Sequence, residues 1–153
     1  MKAFIASLLG LSVLALAPTP GAQAGPDDIV VVVNKANPAS VLSRDTLRPI
    51  FQMTKSEWSD GTKAEPINLT ENDPLRLDFD AAVLGLNPDG VKKYWIDRKI
   101  RGGERPPRRV TSESAALRFV ENTAGGVAYL RASTVSPQVK VVARIRGKEV
   151  VLP

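Results

Sequence analysis

An α/β fold with a mainly parallel central sheet, flanked by helices, is predicted by three observations. The continuous β-branched run Ile29 to Val33 suits a strand buried on both faces. Further along, short apolar stretches alternate with segments whose apolar residues recur at helical spacing. Each helical segment opens on a Ser, Asn or Asp that can cap it, twice with proline directly after. Strands and helices that alternate in this way layer helices onto one sheet.

The elements follow in order. Asn37-Pro38 ends the first strand, and Ser43 caps a short helix carrying Leu47, Ile50 and Phe51, with Pro49 inside it. Ser56 to Gly61 reads as a turn, and Glu65 to Leu69 as a second strand. Asn72 or Asp73 then caps a helix that starts at Pro74 and stops at Gly85, with Leu75, Phe79, Ala82 and Val83 on its apolar face. Asn87-Pro88 repeats the device before Val91, Tyr94, Trp95 and Arg98. The stretch RGGERPPRRV, residues 101–110, is a loop of Gly, Pro and Arg. Ser112 caps a helix with Ala116, Leu117 and Val120, which Ala124-Gly125-Gly126 ends before a strand from Val127 to Leu130. Lys140 to Ile145 and Glu149 to Leu152 form a C-terminal β-hairpin with Arg146-Gly147 at its turn.

Residues 1–24 read as a signal peptide. Lys2 precedes the apolar run Ala3 to Ala17, Pro18 breaks it, and Ala22-Gln23-Ala24 is a small-x-small cleavage pattern. The run is shorter than the ~20 residues that span a bilayer. No cysteine is present at the cleavage site to carry a lipid. The expectation is a single domain over residues 25–153, exported to the periplasm or secreted, and not embedded in the membrane. Removing Lys2 takes the net charge from +5 to +4, too little and too dispersed to indicate nucleic acid. The counts of cysteine and histidine are both zero, which excludes disulfides, thiol chemistry, zinc held by Cys or His, and every triad with a histidine base. No carboxylate cluster suggests a metal or cofactor, and no nucleophile stands beside a base, so the chain does not read as an enzyme.

Anion binding is the chemistry that remains. Helix starts at Ser43, Asp73 and Ser112 offer free N–H groups and the positive end of a dipole. Asp73 can satisfy those groups itself, so its helix reads first as capped. Arg101, Arg105, Arg108 and Arg109 form either an anion clamp or a solvated connection. Trp58, Tyr94 and Trp95 supply either a stacking surface or part of the core.

Taken together, VVVNKANPASVLSRDTLRPIF, the WSDG of Trp58 to Gly61, INLTENDPLRLDF, VLGLNPDGVKKYWIDR, GGERPP and VTSESAALRFVENTAGGVAYL resemble the substrate-binding proteins of phosphate ABC transporters. The likeness covers roughly residues 28–134. It implies a lobe of the periplasmic-binding-protein-like type II fold, in a short member of the group. It also implies phosphate or a similar oxyanion as ligand, and an ABC transporter permease or another envelope protein as partner. The family's Arg-x-Asp-Gly-Ser-Gly-Thr phosphate loop falls on Thr70 to Leu75, where Asp73 replaces the serine, Leu75 replaces the threonine, and the arginine has no counterpart. The family's early Thr-Gly-x-Ser loop is absent. A retained site is expected where Asn72, Ser112 and a loop arginine, Arg101 or Arg105, converge, with Asp73 accepting a proton from the ligand. The alternative is a ligand-free accessory module of the cell envelope that presents its basic loop to an acidic partner.

Overall fold

The computed structural model describes residues 24–153. The signal-peptide reading therefore lies almost wholly outside the described residues. Six strands, β1 (Ile29–Asn34), β2 (Glu65–Asn68), β3 (Arg108–Arg109), β4 (Gly126–Arg131), β5 (Val139–Arg146) and β6 (Glu149–Val151), form one sheet in the order β3-β2-β4-β1-β5-β6. Four α-helices accompany it, α1 (Arg44–Phe51), α2 (Pro74–Phe79), α3 (Pro88–Ile100) and α4 (Glu113–Asn122). The α/β class is as predicted, but the sheet is mixed rather than mainly parallel. β2 runs parallel to β3 and β4, whereas β1 is antiparallel to both β4 and β5, and β5 to β6. The β-branched run at β1 signals burial on both faces, and burial says nothing about the direction of the neighbouring strands.

β1 sits inside the sheet, with Val31, Val32 and Val33 removed from solvent. Its register with β5 shifts between Val31 and Val32, so that Val142 bulges out of the ladder. The freed Val142 carbonyl accepts from Leu42 N at 2.8 Å and draws the segment before α1 onto the sheet. α4 packs on β4, β1 and β5. Its last turn is closed from the sheet, since Asn34 Nδ2 donates to Val120 O at 2.8 Å and to Glu121 O at 3.0 Å. Phe51 of α1, Phe79 of α2 and Tyr129 of β4 form an aromatic cluster, with Phe79 stacked on Tyr129 at 4.0 Å between centroids. Trp58 belongs to the core, and its Nε1 donates to Gly125 O at 3.0 Å.

All four sequence-assigned caps are in place. Ser43 accepts from Thr46 N at 3.3 Å, Asp73 from Leu75 N at 2.9 Å, Asn87 from Gly90 N at 2.8 Å and Ser112 from Ala115 N at 3.1 Å. The helix expected from Pro74 to Gly85 is divided. After Phe79 it widens into a π-turn, Asp80–Leu84, before Gly85 stops it at φ 69°. Pro49 does not interrupt α1; its carbonyl instead accepts from Thr54 N and Lys55 N as the chain leaves the helix. Met53 takes a positive φ of 56° there, and α3 holds this exit, with Tyr94 Oη donating to Gln52 O and Arg98 Nη2 to Met53 O. The C-terminal hairpin forms as expected, with Gly147 at φ 58° in its turn. No helix among the described residues is long and apolar enough to cross a membrane.

Candidate functional site: a basic groove above a buried ion pair

An open groove of about 710 Å³ is bounded by four segments. Glu71 and Asn72 come from the turn after β2, and Arg76, Leu77 and Asp80 from α2 and the π-turn. Pro88, Val91, Lys92, Trp95 and Ile96 come from α3, and residues 105–109 close the remaining side. The loop reaches this position because β3 within it pairs with β2: Ile67 lies opposite Arg108 and Asn68 opposite Arg109. Sequence pattern gives no sign of that strand, since two exposed arginines carry no apolar alternation.

Beneath the groove lies a network that the sequence reading missed. Arg76 and Asp80 are both buried and pair one helical turn apart, Nε to Oδ2 at 3.4 Å. Arg76 Nη1 also donates to Leu69 O at 3.0 Å. The Tyr129 hydroxyl accepts from Leu69 N at 3.1 Å and donates to Asn68 Oδ1 at 3.3 Å. These bonds tie the end of β2 to both α2 and β4. Burial raises the Asp80 carboxyl from 3.8 to about 6, and the Arg76 guanidinium limits that rise. Burial also pushes the Tyr129 phenol well above its ordinary value. The i,i+4 spacing of Arg76 and Asp80 was the available signal, but such spacing is common on exposed helix faces and does not reveal burial.

The groove takes in two of the five residues expected to hold an anion. Asn72 and Arg105 line the groove. Asp73, Ser112 and Arg101 are not among its lining residues. Asp73 and Ser112 cap their own helices. In the first turn of the Ser112 helix, Glu113 is engaged with Arg131 and with the Thr134 hydroxyl. Arg101 forms the end of α3, its N–H donating to Asp97 O at 3.1 Å. Arg108 and Arg109 of the predicted arginine clamp also line the groove, and the structure adds Lys92.

The charges of the groove divide into two sets. Arg76 with Asp80, and Arg109 with Glu71 at 3.1 Å, are ion pairs and nearly neutral as units. Lys92, Arg105 and Arg108 have no acidic side chain within ion-pair distance among the described residues. The groove therefore carries a surplus of positive charge, suited to an anion.

Neither a family model nor a curated protein matches the sequence. Solved structures do match. An ABC-type phosphate transport receptor from Vibrio cholerae superposes with a TM-score of 0.60 at 20% identity, covering 76% of this chain and 45% of that one. A putative phosphate ABC transporter substrate-binding protein with bound phosphate, from Clostridium perfringens, gives 0.62 at 15% identity over 76% and 44% of the two chains. The chain shares the α/β fold of the matched part of these two proteins. A possible phosphate binding protein from Planctomyces limnophilus shares it as well, at 0.56 and 18% identity, over 83% of this chain and 45% of its own. This chain spans under half the length of these three proteins.

Proposed function

We propose that this protein is an exported, non-enzymatic solute-binding-like protein that holds phosphate or a similar oxyanion in the groove beside α3. One observation carries the reading: three cationic side chains without acidic partners, Lys92, Arg105 and Arg108, line one groove. The fold that the chain shares with the matched part of those proteins supports it. Asn72 lines the same groove and supplies an amide that donates to a ligand oxygen. In this reading the protein works outside the cytoplasm, and an ABC transporter permease or another envelope protein receives it.

The test is thermal unfolding of the purified protein with millimolar phosphate, using sulfate and chloride at matched ionic strength as controls. A ligand at ~100 times its dissociation constant adds about 2.7 kcal/mol, a shift of several degrees in a domain of this size. A phosphate-selective rise that Arg105→Ala removes is the expected result. The absence of any anion-selective shift sinks the proposal.

A second reading is favoured by the exposure of both arginines of β3 at the edge of the sheet. In it, the chain keeps no ligand and presents its basic loop to an acidic partner in the cell envelope. Contacts of that kind weaken steeply with salt, because exposed charges are screened within roughly 8 Å at physiological ionic strength.

A further inference from the structure

The walls of the groove are built for more than an inorganic anion. Its three unpaired cations share the space with Leu77, Trp95, Ile96 and the Pro106-Pro107 pair. Leu77 and Ile96 are among the few large hydrophobic side chains left exposed, at 37% and 58%. Each lies on a helix that buries other residues: α2 turns Leu75, Arg76 and Phe79 inward, and α3 buries Val91, which leaves Trp95 partly covered and Ile96 outside the core. An apolar strip open to water beside a cluster of cations is complementary to an amphiphilic anion.

Size points the same way. A bare phosphate fills the space of a few waters at ~30 Å³ each, far below the 710 Å³ of the groove. It would leave the Trp95 and Ile96 wall wet. Spaces of about 300–1,000 Å³ lined by apolar side chains and a few polar groups suit organic molecules. The ion pairs sharpen the argument. Because Asp80 is matched by Arg76 and Glu71 by Arg109, the attraction for an anion comes from Lys92, Arg105 and Arg108.

Resting on the oxyanion reading of this groove, we infer that its ligand is an organic oxyanion, a phosphate monoester or carboxylate with a planar apolar body. The anionic head meets Arg105 and Arg108, and the body lies along Trp95 and Ile96. Shared chemistry defines the class: a charged oxygen head and a ring-sized apolar body.

Calorimetric titration with phenyl phosphate, inorganic phosphate and benzyl alcohol, at one ionic strength, tests this. Phenyl phosphate is expected to bind at least about tenfold tighter than inorganic phosphate, because a buried ring adds apolar area. Benzyl alcohol is expected to show no measurable binding. Trp95→Ala lowers phenyl phosphate affinity, and so does Ile96→Asn, which alters an exposed side chain and leaves the core intact. Equal affinity for the two phosphates overturns the inference while the oxyanion reading stands. Benzyl alcohol binding as tightly as phenyl phosphate overturns it too, since the head would then be irrelevant. Failure of both phosphates to bind overturns the oxyanion reading together with the inference.

Discussion

At the scale of single residues, Asp80 has the most consequential environment. Its carboxyl titrates near 6 in the folded chain and near 3.8 when exposed. Between those values the folded state holds a proton that the unfolded state has released, so the contribution of Asp80 to stability is fully present below 3.8 and is lost as pH rises through 6. The change is on the order of a few kcal/mol. Urea titrations from pH 4 to 7 will show this slope, and Asp80→Asn will flatten it; an unchanged slope would place the effect elsewhere. Arg76→Met is expected to drive the Asp80 carboxyl higher still, so that it is protonated near neutral pH, and to destabilise the fold by leaving the buried Leu69 carbonyl and Asp80 without their guanidinium partner. Gly125 is constrained by space rather than charge. A Cβ there would lie 1.7 Å from the Lys63 carbonyl oxygen, a backbone atom with nowhere to go. Gly125→Ala should therefore lose about 3 kcal/mol or more in a denaturant titration.

At the scale of elements, the helix starts were the most legible part of the sequence and the sheet edge was the least. Ser43, Asp73, Asn87 and Ser112 all cap as their local patterns imply, because capping depends on three or four adjacent residues. Asp73→Ala should cost about 1 kcal/mol, whereas Asp73→Ser, which still offers an acceptor, should stay within a few tenths of wild type. Thermal unfolding of the two variants side by side decides it. The π-turn at Asp80–Leu84 was hidden because Leu75, Phe79, Ala82 and Val83 fit an uninterrupted helix equally well. β3 was hidden because its pairing with β2 uses backbone groups alone. That pairing places Arg105 and Arg108 beside α3, so the candidate site was legible only in fragments. Asn72 and Arg105 were identified as candidates from sequence, but their common groove depends on a strand of two arginines.

At the scale of the whole molecule, the C-terminal hairpin is structural rather than an appendage. The sequence resemblance reaches only to about residue 134, but β5 pairs with β1 along the length of that strand and contributes Val142 and Ala143 to the core. Ending the chain after Arg146 removes only the edge strand β6, and a cooperative though weaker melt should persist. Ending it before Val139 strips one side of β1, and circular dichroism should then show no cooperative transition.

The position of β1 also governs when the chain is able to fold. Ile29 pairs with Arg131 and Ile145, so the first strand waits for partners more than a hundred residues later. At ~5–20 residues per second, ribosomal synthesis leaves that apolar strand unpaired for roughly 5–20 s. During that interval no central ladder exists, and the nascent protein is a flexible thread rather than a globule. An unpaired apolar strand of that kind is what aggregates or meets a chaperone.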